Sequence, residues 1–347
     1  MNFVLSVEHP AWAHQFRYII QLLEQRGHRV LVLAIKKDVD LELLKQFGIP
    51  YVLVGTTTGS GILQKAWLLF SITLKMIWAC RHYKPDCFIG RASPMMAMTA
   101  ACYRRPHVIF EDTEHSHISL FFCRHLSTRI ITPVSFRTNL GKAQKRLPVY
   151  KESFYLHPAH FKPDPAYLHA IGIQEGEPFV LMRFVAWTAD HDLGQKGLSL
   201  QTKIKAVKAF EQFGRVLISS EEQLPAALEP YRIRIAPEKI HHIMYYASLL
   251  YGESATMASE CAVLGTHAIY CDFTGRGYTD EQEKKYGLVY NFRLDPASQE
   301  ASVQKGMQLL QNPNLWKEGK NKREKLLQEV RDGSSLFLEE LAEVENL

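Results

Sequence analysis

The sequence lacks the features that mark disulfide-rich, zinc-binding or low-complexity proteins. Its 347 residues include six cysteines, and these form neither a C-x-x-C pair nor a zinc-type spacing. We therefore expect them to be thiols in a reducing compartment. No low-complexity tract and no obvious internal repeat interrupts the chain. An ordinary globular protein is indicated, and the length suggests two or three domains.

Long apolar runs and a secretory leader are also missing. The uninterrupted apolar segment 66–74 includes Ser71 and Thr73 and is far shorter than the ~20 residues that a membrane-spanning helix needs. The N-terminus begins as a strand, without a basic region or a cleavage site. These absences predict a cytoplasmic protein that is not secreted.

The segment 63–83 is rich in Leu, Ile, Phe and Trp and contains Lys65, Lys75 and Arg81. We interpret it as a long helix packed on a sheet. The alternative is a basic, aromatic surface that contacts a bilayer, which would place the protein peripherally at the inner membrane face.

Composition and charge are those of a soluble globular chain with a mild basic excess. The apolar fraction is 46%, the charged fraction is 22% and the net charge is +5. This excess is compatible with anionic ligands or with a membrane surface. No nucleic-acid partner is expected.

The N-terminal half alternates strands with helices. Residues 3–7 form an apolar strand, an amphipathic helix follows with Phe16, Ile19, Ile20 and Leu23 on one face, and strands recur at 30–34 and 51–54. This alternation predicts a parallel sheet with helices on both faces. Ligands of such sheets bind beyond the carboxyl ends of the strands.

Several of these strand ends carry ionisable side chains. The residues that we select are His9, His14, Arg91, Glu111, Asp112, Glu114 and His115. Crowded carboxylates raise one another's pKa values, so the 111–115 loop is suited to general acid–base work. The alternatives are helix capping or simple exposure for the histidines, and a solvated helix N-terminus for the acids.

A second strand–helix pattern follows an irregular passage. Residues 142–165 contain four prolines and several basic residues, which is typical of a linker. The pattern restarts at 179–184, and its exit loop carries Arg183, His191 and Lys196. We predict an N-terminal domain at 1–160, a second domain at 175–315, and a C-terminal helical region at 316–347 that packs back on the first domain.

The stretch 249–272 organises the second half of the chain. It predicts a strand, a turn at Gly252, a helix that Ser254 and Thr256 can cap, and another strand. A small-residue turn at a helix N-terminus attracts anions, because unpaired N–H groups and the helix dipole point at it. Glu260, farther along this helix, would repel phosphate and would suit a pair of ribose hydroxyls. An ordinary capped helix in a βαβ unit is the alternative.

This stretch resembles the nucleotide-sugar site of GT-B glycosyltransferases and of UDP-N-acetylglucosamine 2-epimerases. The resemblance implies that the diphosphate would lie at a turn formed by Ser254, Ala255, Thr256 and Met257. It also implies that Glu260 would bind the ribose.

Motifs along most of the chain resemble one bacterial and archaeal family, the domain-of-unknown-function family three-five-four, which is regarded as GT-B-like. They are His-Pro-Ala-x-x-His at 9–14, Gly-Arg-x-Ser-Pro at 90–94, Asp-Thr-Glu-His at 112–115, Tyr-Leu-His-Pro at 155–158, the 190–197 loop and Ala-Thr-Met-x-Ser-Glu at 255–260. Two positions depart from the pattern: His267 replaces the usual proline, and Ala186 replaces a common serine.

The resemblance implies an α/β protein of GT-B type, with two Rossmann-like domains facing across a cleft. The C-terminal domain would bind a nucleotide sugar, and the N-terminal domain would supply the catalytic or acceptor side. The implied function is a glycosyltransferase of cell-envelope or surface polysaccharide synthesis that uses a UDP-sugar and a sugar or lipid-linked acceptor.

In this interpretation His14 or Glu114 is the base, and Arg183, Lys196 and the 254–257 turn stabilise the leaving diphosphate. His9, Arg91 and His115 belong to the acceptor loops. Asp190-His191-Asp192 has the carboxylate spacing of a D-x-D motif but an interior histidine, so neither a divalent metal nor another cofactor is expected.

Two alternatives stay open. A 2-epimerase would use Asp112, Glu114 and His191 to remove and return the proton at C2. A non-catalytic nucleotide-sugar binding protein is the third interpretation, although the density of ionisable groups at the strand ends argues against it.

Overall fold

The computed structural model describes residues 1–37, 39–56, 61–185, 197–220 and 223–345. The chain divides into two compact units. Unit 1 comprises Met1–His160 and Val330–Leu347, and unit 2 comprises Phe161–Glu329.

Unit 1 is built on a parallel sheet of seven strands. Its strands are β1 (Asn2–Val7), β2 (Arg29–Lys36), β3 (Val52–Thr56), β4 (Cys87–Gly90), β5 (His107–Phe110), β6 (Arg129–Pro133) and β7 (Gln144–Leu147). They lie in the order β3-β2-β1-β4-β5-β6-β7, and each pair is parallel. The central strands β4 and β5 are buried along their whole length, as expected of a sheet covered on both faces.

Unit 2 is built on a smaller parallel sheet. Its strands are β8 (Phe179–Phe184), β9 (Arg215–Ser220), β10 (Leu249–Gly252), β11 (His267–Cys271) and β12 (Val289–Phe292), in the order β12-β11-β10-β8-β9. A core of apolar side chains from the sheet and its covering helices includes Met182, Phe210 and Tyr251.

Helices connect the strands in both units. Unit 1 contains α1 (Pro10–Gln25), α2 (Asp40–Gln46), α3 (Ile62–Cys80), α4 (Pro94–Tyr103), α5 (His117–Leu126) and α6 (Ser153–Leu156). Unit 2 contains α7 (Ala166–His169), α8 (Leu200–Phe210), α9 (Ile240–Tyr246), α10 (Ala255–Leu264), α11 (Gly277–Glu281), α12 (Pro296–Leu310) and α13 (Leu315–Glu329). The last helix, α14 (Gly333–Glu345), returns to unit 1.

Two segments differ from the sequence-based expectation. Residues 142–165 were expected to be an irregular linker, but they supply β7 and α6 of unit 1, because the prolines lie outside these two elements. The C-terminal region was expected to pack back on the first domain as a whole. Only α14 does so, whereas α13 belongs to unit 2, where Lys320 Nζ donates to the carbonyl of Leu264 at 2.9 Å.

The strand order identifies where each sheet can bind a ligand. In unit 1 the connections run outward from β1 through β2 to β3 and then return to β4, on the other side of β1. In unit 2 they run from β8 to β9 and return to β10, on the other side of β8. A crevice forms at such a reversal, beyond the carboxyl ends of the two neighbouring strands. Each unit therefore has one such position, β1/β4 in unit 1 and β8/β10 in unit 2.

No helix among the described residues has both the length and the apolar character that crossing a membrane requires.

The packing of α14 on unit 1 gives a stability prediction. The ring of Phe337 is fully buried, with its centroid 5.9 Å from that of Phe16 and 6.1 Å from that of Phe154. We expect Phe337→Ala to lower the free energy of unfolding by about 3–5 kcal/mol, because the lost ring leaves a cavity. Urea denaturation of the full chain measures the change.

The control for this variant is Glu339→Ala on the same helix. The Glu339 side chain is 59% exposed and lies 3.5 Å from Arg331, so its loss should change the free energy of unfolding by no more than about 0.5 kcal/mol. Equal effects of the two substitutions would contradict the docking of α14 through Phe337.

Candidate functional site

The β1/β4 position of unit 1 gathers charged side chains from three neighbouring strands. Glu8 and His9 follow β1, Arg91 follows β4, and Glu111 and Asp112 follow β5. Because β1, β4 and β5 are adjacent and parallel, their carboxyl ends lie at one edge of the sheet. The loops after β1, β4 and β5, which we selected from the sequence, therefore lie together at this edge of the sheet.

Arg91 is the centre of this cluster. Its guanidinium is buried, and one terminal nitrogen, Nη2, contacts Glu111 Oε1 at 2.5 Å and also Asp112 Oδ1. The other terminal nitrogen donates to Gln15 Oε1 of α1 at 3.2 Å. One cation thus connects the loops after β4 and β5 with the first helix, and it compensates two buried carboxylates.

Glu111 is further held by backbone donors. Its Oε1 accepts from the N–H groups of Asp112 at 3.0 Å and Thr113 at 2.9 Å, and its Oε2 accepts from Ala92 at 3.3 Å. A carboxylate with so many donors is fixed in position. Its geometry therefore favours a role in shaping the two loops.

The pKa of Asp112 moves opposite to the expectation from crowded carboxylates. Burial alone would raise this pKa, but the charges of Arg91 and Lys151 and the hydrogen bonds to Asp112 outweigh it and hold the pKa well below its ordinary value. The pKa of Arg91 is raised for the matching reason, against its own burial. The expectation of a raised pKa is wrong for Asp112. Arg91 and Lys151 are far from Asp112 in the sequence, and only the fold brings their charges next to it.

Lys151 and Glu152 were missed by the sequence analysis. Lys151 Nζ lies 3.6 Å from Asp112 Oδ2 and 3.2 Å from Glu152 Oε1, and all three residues are buried. They follow β7, in the segment that we interpreted as a linker. The strand reads Gln-Lys-Arg-Leu, so no apolar run marked it in the sequence, and the four prolines nearby favoured a linker.

Glu8 was also not selected from the sequence, although it begins the loop that contains His9. Desolvation by the surrounding atoms raises the pKa of Glu8 to about 7, while the hydroxyls of Ser93 and Ser6 and the charge of Lys37 act in the opposite direction. A carboxyl group that titrates near neutral pH can accept a proton at one stage of a reaction and return it at another.

The other selected residues of unit 1 have different surroundings. His9 caps α1, since its Nδ1 accepts from the N–H of Ala11 at 3.2 Å, as the capping alternative proposed. His14 is buried with its ring centroid 5.3 Å from that of Phe47 and 5.6 Å from that of Tyr155. Glu114 accepts from the N–H of Arg137 at 3.3 Å, and His115 is exposed.

The β8/β10 position of unit 2 is a close approach of two strands. At Gly252 a Cβ atom would overlap the carbonyl oxygen of Arg183, so this position requires glycine. The next residue, Glu253, donates its N–H to the same carbonyl at 3.0 Å. The chain then turns into α10.

Glu253 is a buried carboxylate that the sequence analysis also did not select. It accepts from the N–H of Val185 at 3.0 Å and from that of Leu198 at 2.6 Å, and Lys203 Nζ lies 3.4 Å away. Val185 and Leu198 flank residues 186–196. Glu253 therefore fixes the two ends of the segment that carries the predicted residues His191 and Lys196, which lie outside the described residues.

The N-terminus of α10 has the structure that the sequence predicted. Ser254 is the N-cap, and its hydroxyl accepts from the N–H of Met257 at 3.3 Å. Ala255 and Thr256 occupy the first positions of the ten-residue helix and are partly exposed. Such a terminus presents backbone N–H groups and the positive end of the helix dipole to an anion.

Arg183 and Glu260 lie in the same unit but have different partners. Arg183, at the end of β8, donates from Nη1 to the hydroxyl of Ser219 at 3.0 Å. Glu260 is buried on α10, and its Oε1 lies 2.9 Å from Nε2 of the buried His241 on α9. His241 was not selected from the sequence.

Comparisons with known proteins support the fold. No family model matches the chain, and no curated protein sequence matches it. Several solved structures do match over nearly the whole length. The UDP-GlcNAc 2-epimerase from Neisseria meningitidis bound to UDP-GlcNAc has a TM-score of 0.69 at 12% identity and covers 99% of this chain and 100% of its own. The glycosyltransferase VinC in complex with DTDP has a TM-score of 0.65 at 12% identity, with full coverage of both chains.

A third structure, the UDP-GlcNAc 2-epimerase of Methanocaldococcus jannaschii in complex with UDP-GlcNAc and UDP, gives a TM-score of 0.66 at 13% identity, over 92% of this chain and 98% of its own. The predicted fold class, with two Rossmann-like α/β domains of GT-B type, is thereby confirmed. The narrower resemblance to family three-five-four has no support from these comparisons.

The raised pKa of Glu8 predicts a pH-dependent stability. A folded-state pKa of about 7 lies above the ordinary value of 4.5, so the protonated carboxyl favours the folded state below pH 4.5, and this contribution is lost as the pH rises through 7. Glutamine cannot ionise. We expect the stability of Glu8→Gln relative to the unmodified protein to rise by about 2–3 kcal/mol between pH 4.5 and 8.

Chemical denaturation at several pH values measures this difference. The control is Glu24→Gln, which removes an exposed carboxylate from α1 and should change stability by no more than about 0.5 kcal/mol at each pH. A stability difference for Glu8→Gln that does not vary with pH would show that the pKa of Glu8 is not raised in the folded state.

Proposed function

We propose that this protein is a nucleotide-sugar-dependent glycosyltransferase of cell-envelope or surface polysaccharide synthesis, with a sugar or lipid-linked acceptor. The observation that carries the proposal is the N-terminus of α10. It is capped by Ser254 and begins directly after the close approach at Gly252, at the ligand-binding position of a sheet in a GT-B fold.

The diphosphate of the donor would bind at this helix terminus. The partly exposed turn at 254–256 offers N–H groups without a carboxylate of its own, since Glu253 is directed to the backbone of Val185 and Leu198. The helix dipole adds to the attraction of negative charge. Structures with similar folds support a pyrimidine nucleotide, because VinC was solved with DTDP and the N. meningitidis epimerase with UDP-GlcNAc.

Glu260 would bind the ribose hydroxyls of the nucleotide. Its carboxylate is oriented by His241 at 2.9 Å, and each oxygen of a carboxylate can accept more than one hydrogen bond. An acceptor oriented in advance gains more from each hydroxyl than a mobile one, because no side-chain entropy is lost on binding.

Transfer itself needs a base for the acceptor and a stabilised leaving group. The acceptor oxygen attacks the anomeric carbon, the bond from that carbon to the diphosphate oxygen breaks, and the nucleoside diphosphate leaves. The acceptor hydroxyl releases its proton to the base. We propose Glu8 for this role in place of His14 or Glu114, because the pKa of Glu8 is about 7 and a base with such a pKa works best near neutral pH.

A 2-epimerase is the second candidate, and the N. meningitidis epimerase with a TM-score of 0.69 favours it. That reaction must take a proton from C2 and return one to the other face of the sugar. The buried Asp112 is unsuited to this task, because Arg91 and Lys151 hold its pKa low. Glu8, with its pKa of about 7, is one proton acceptor, and transfer needs one such group whereas epimerisation must also return a proton to the other face.

The nucleotide site is tested by calorimetry with UDP and with 2′-deoxy-UDP. We expect UDP to bind, and we expect removal of the 2′-hydroxyl to weaken binding by about tenfold, the effect of roughly one charge-assisted hydrogen bond. In Glu260→Ala the two ligands should bind equally. Equal binding of both ligands by the unmodified protein would remove the ribose assignment, and no binding of any nucleotide would remove the donor site.

The reaction type is tested in heavy water with UDP-N-acetylglucosamine. A transferase leaves C2 untouched, so we expect no deuterium at C2 by NMR or mass spectrometry. Glu8→Gln should reduce transfer to an acceptor by about 10²-fold or more and should leave UDP affinity unchanged. Deuterium at C2 that disappears in Glu8→Gln would establish the epimerase instead.

A further inference from the structure

The outer face of α3 exposes a continuous row of large apolar side chains. Their exposed fractions are 85% for Leu63, 66% for Trp67, 55% for Phe70, 49% for Leu74 and 65% for Trp78. The spacing of four, three, four and four residues places all five on one side of the helix. We call this set the α3 stripe. On the outer face of a helix that meets water, polar and charged residues are the rule.

The opposite face of α3 is occupied by the fold. Ile72, Met76 and Cys80 are buried in a cluster with side chains of β1, β2, β3, β4 and α4. The packing of α3 on unit 1 therefore uses the side turned away from the α3 stripe. Since the stripe contributes nothing to this packing, its apolar character needs another cause.

The charges that the segment 62–84 itself carries are of one sign. Lys65, Lys75 and Arg81 are exposed, and Arg81 stacks on Trp78 with its guanidinium carbon 3.4 Å from the ring centroid. Between Ile62 and Phe110 the sequence contains a single acid, Asp86, whose carboxylate accepts from the N–H of Asn2 at 2.8 Å. The surroundings of the stripe thus favour a negatively charged partner with an apolar interior.

We propose that α3 is an interfacial helix that binds the surface of an anionic phospholipid bilayer. The α3 stripe would enter the boundary between headgroups and acyl chains, and Lys65, Lys75 and Arg81 would contact the lipid phosphates. Trp67 and Trp78 suit this depth, because tryptophan combines a large apolar ring with one polar N–H group. This proposal is independent of the proposed function and holds for either reaction.

The choice of lipid over a protein partner follows from composition. Protein interfaces with an apolar core usually include a mixed polar rim. The segment 62–84 contributes cations and no acid. A second copy of this chain would bring cations against cations. An anionic lipid surface satisfies the apolar row and the cations at the same time.

The test is sedimentation of the full-length protein with vesicles of phosphatidylglycerol and phosphatidylcholine in equal parts, compared with phosphatidylcholine alone. We expect binding to the anionic vesicles that weakens about tenfold or more at high salt. Vesicles containing lipids brominated on the acyl chain should quench the fluorescence of Trp67 and Trp78, which locates these rings at the headgroup boundary.

Two variants separate the contribution of the apolar side chains to vesicle binding from that of the cations. Replacing Trp67, Phe70 and Trp78 together by Gln should lower vesicle affinity by roughly a hundredfold, because it removes most of the apolar area that would be buried. Lys75→Glu with Arg81→Glu should abolish the preference for anionic vesicles. The matched control is Val134→Gln with Leu200→Gln, which removes two exposed apolar side chains elsewhere and should bind like the unmodified protein.

Three results would overturn the proposal. They are no sedimentation of the unmodified protein with anionic vesicles, equal sedimentation of the triple variant, and a dimer in analytical ultracentrifugation that the triple variant converts to a monomer. The last result would assign the α3 stripe to contacts between copies of this chain. Circular dichroism and thermal unfolding of each variant verify that the fold is retained.

Discussion

The arrangement of unit 1 depends on the charge of Arg91. Glu111 and Asp112 are both buried at the end of β5, and burying two carboxyl groups this close together is costly unless a cation lies beside them. Arg91 contacts both and also reaches Gln15 on α1. The loops after β4 and β5 and the first helix thus meet at one guanidinium. The charge of Lys151, from the loop after β7, adds to it.

In unit 2 a buried carboxylate is likewise compensated, but mainly by backbone N–H donors. Glu253 follows β10 as Glu111 follows β5, next to the reversal of strand order, and it is equally buried. It accepts from the N–H groups of Val185 and Leu198, and Lys203 Nζ lies 3.4 Å from it. In both units a buried carboxylate at a strand end therefore fixes loops near the position where such sheets bind ligands.

The sequence predicted the fold and the positions of the loops better than the chemistry of the groups. The alternation of strands and helices is a local pattern, so it was readable, and Gly252 with Ser254 identified the turn into α10 correctly. The pKa values of Asp112 and Glu8 depend on contacts between loops that are far apart along the chain. Asp112 meets Arg91 and Lys151, and Glu8 meets Ser93, and none of these pairs has a local signature.

The prediction of a linker at residues 142–165 was also wrong because it relied on a local signal, the four prolines. Proline predicts turns because it fixes its own backbone angle and lacks an N–H donor. Pro148, however, stands directly after β7 and leaves the strand intact, since the edge position of β7 demands few donors. This error also left Lys151 and Glu152 out of the predicted site, because they lie just after that strand.

The contrast between Glu8 and Asp112 indicates why the ionic cluster of unit 1 exists. Both carboxyl groups are desolvated, but Asp112 faces two cations and stays ionised, whereas Glu8 faces mainly hydroxyls and titrates near neutral pH. Buried ion pairs are weak contributors to stability, and apolar residues of the same shape often serve a fold as well or better. Under the proposed function the cluster would have a chemical role. The ion pairs of Arg91 would hold the loops after β4 and β5 in place, and Glu8 beside them would exchange the proton.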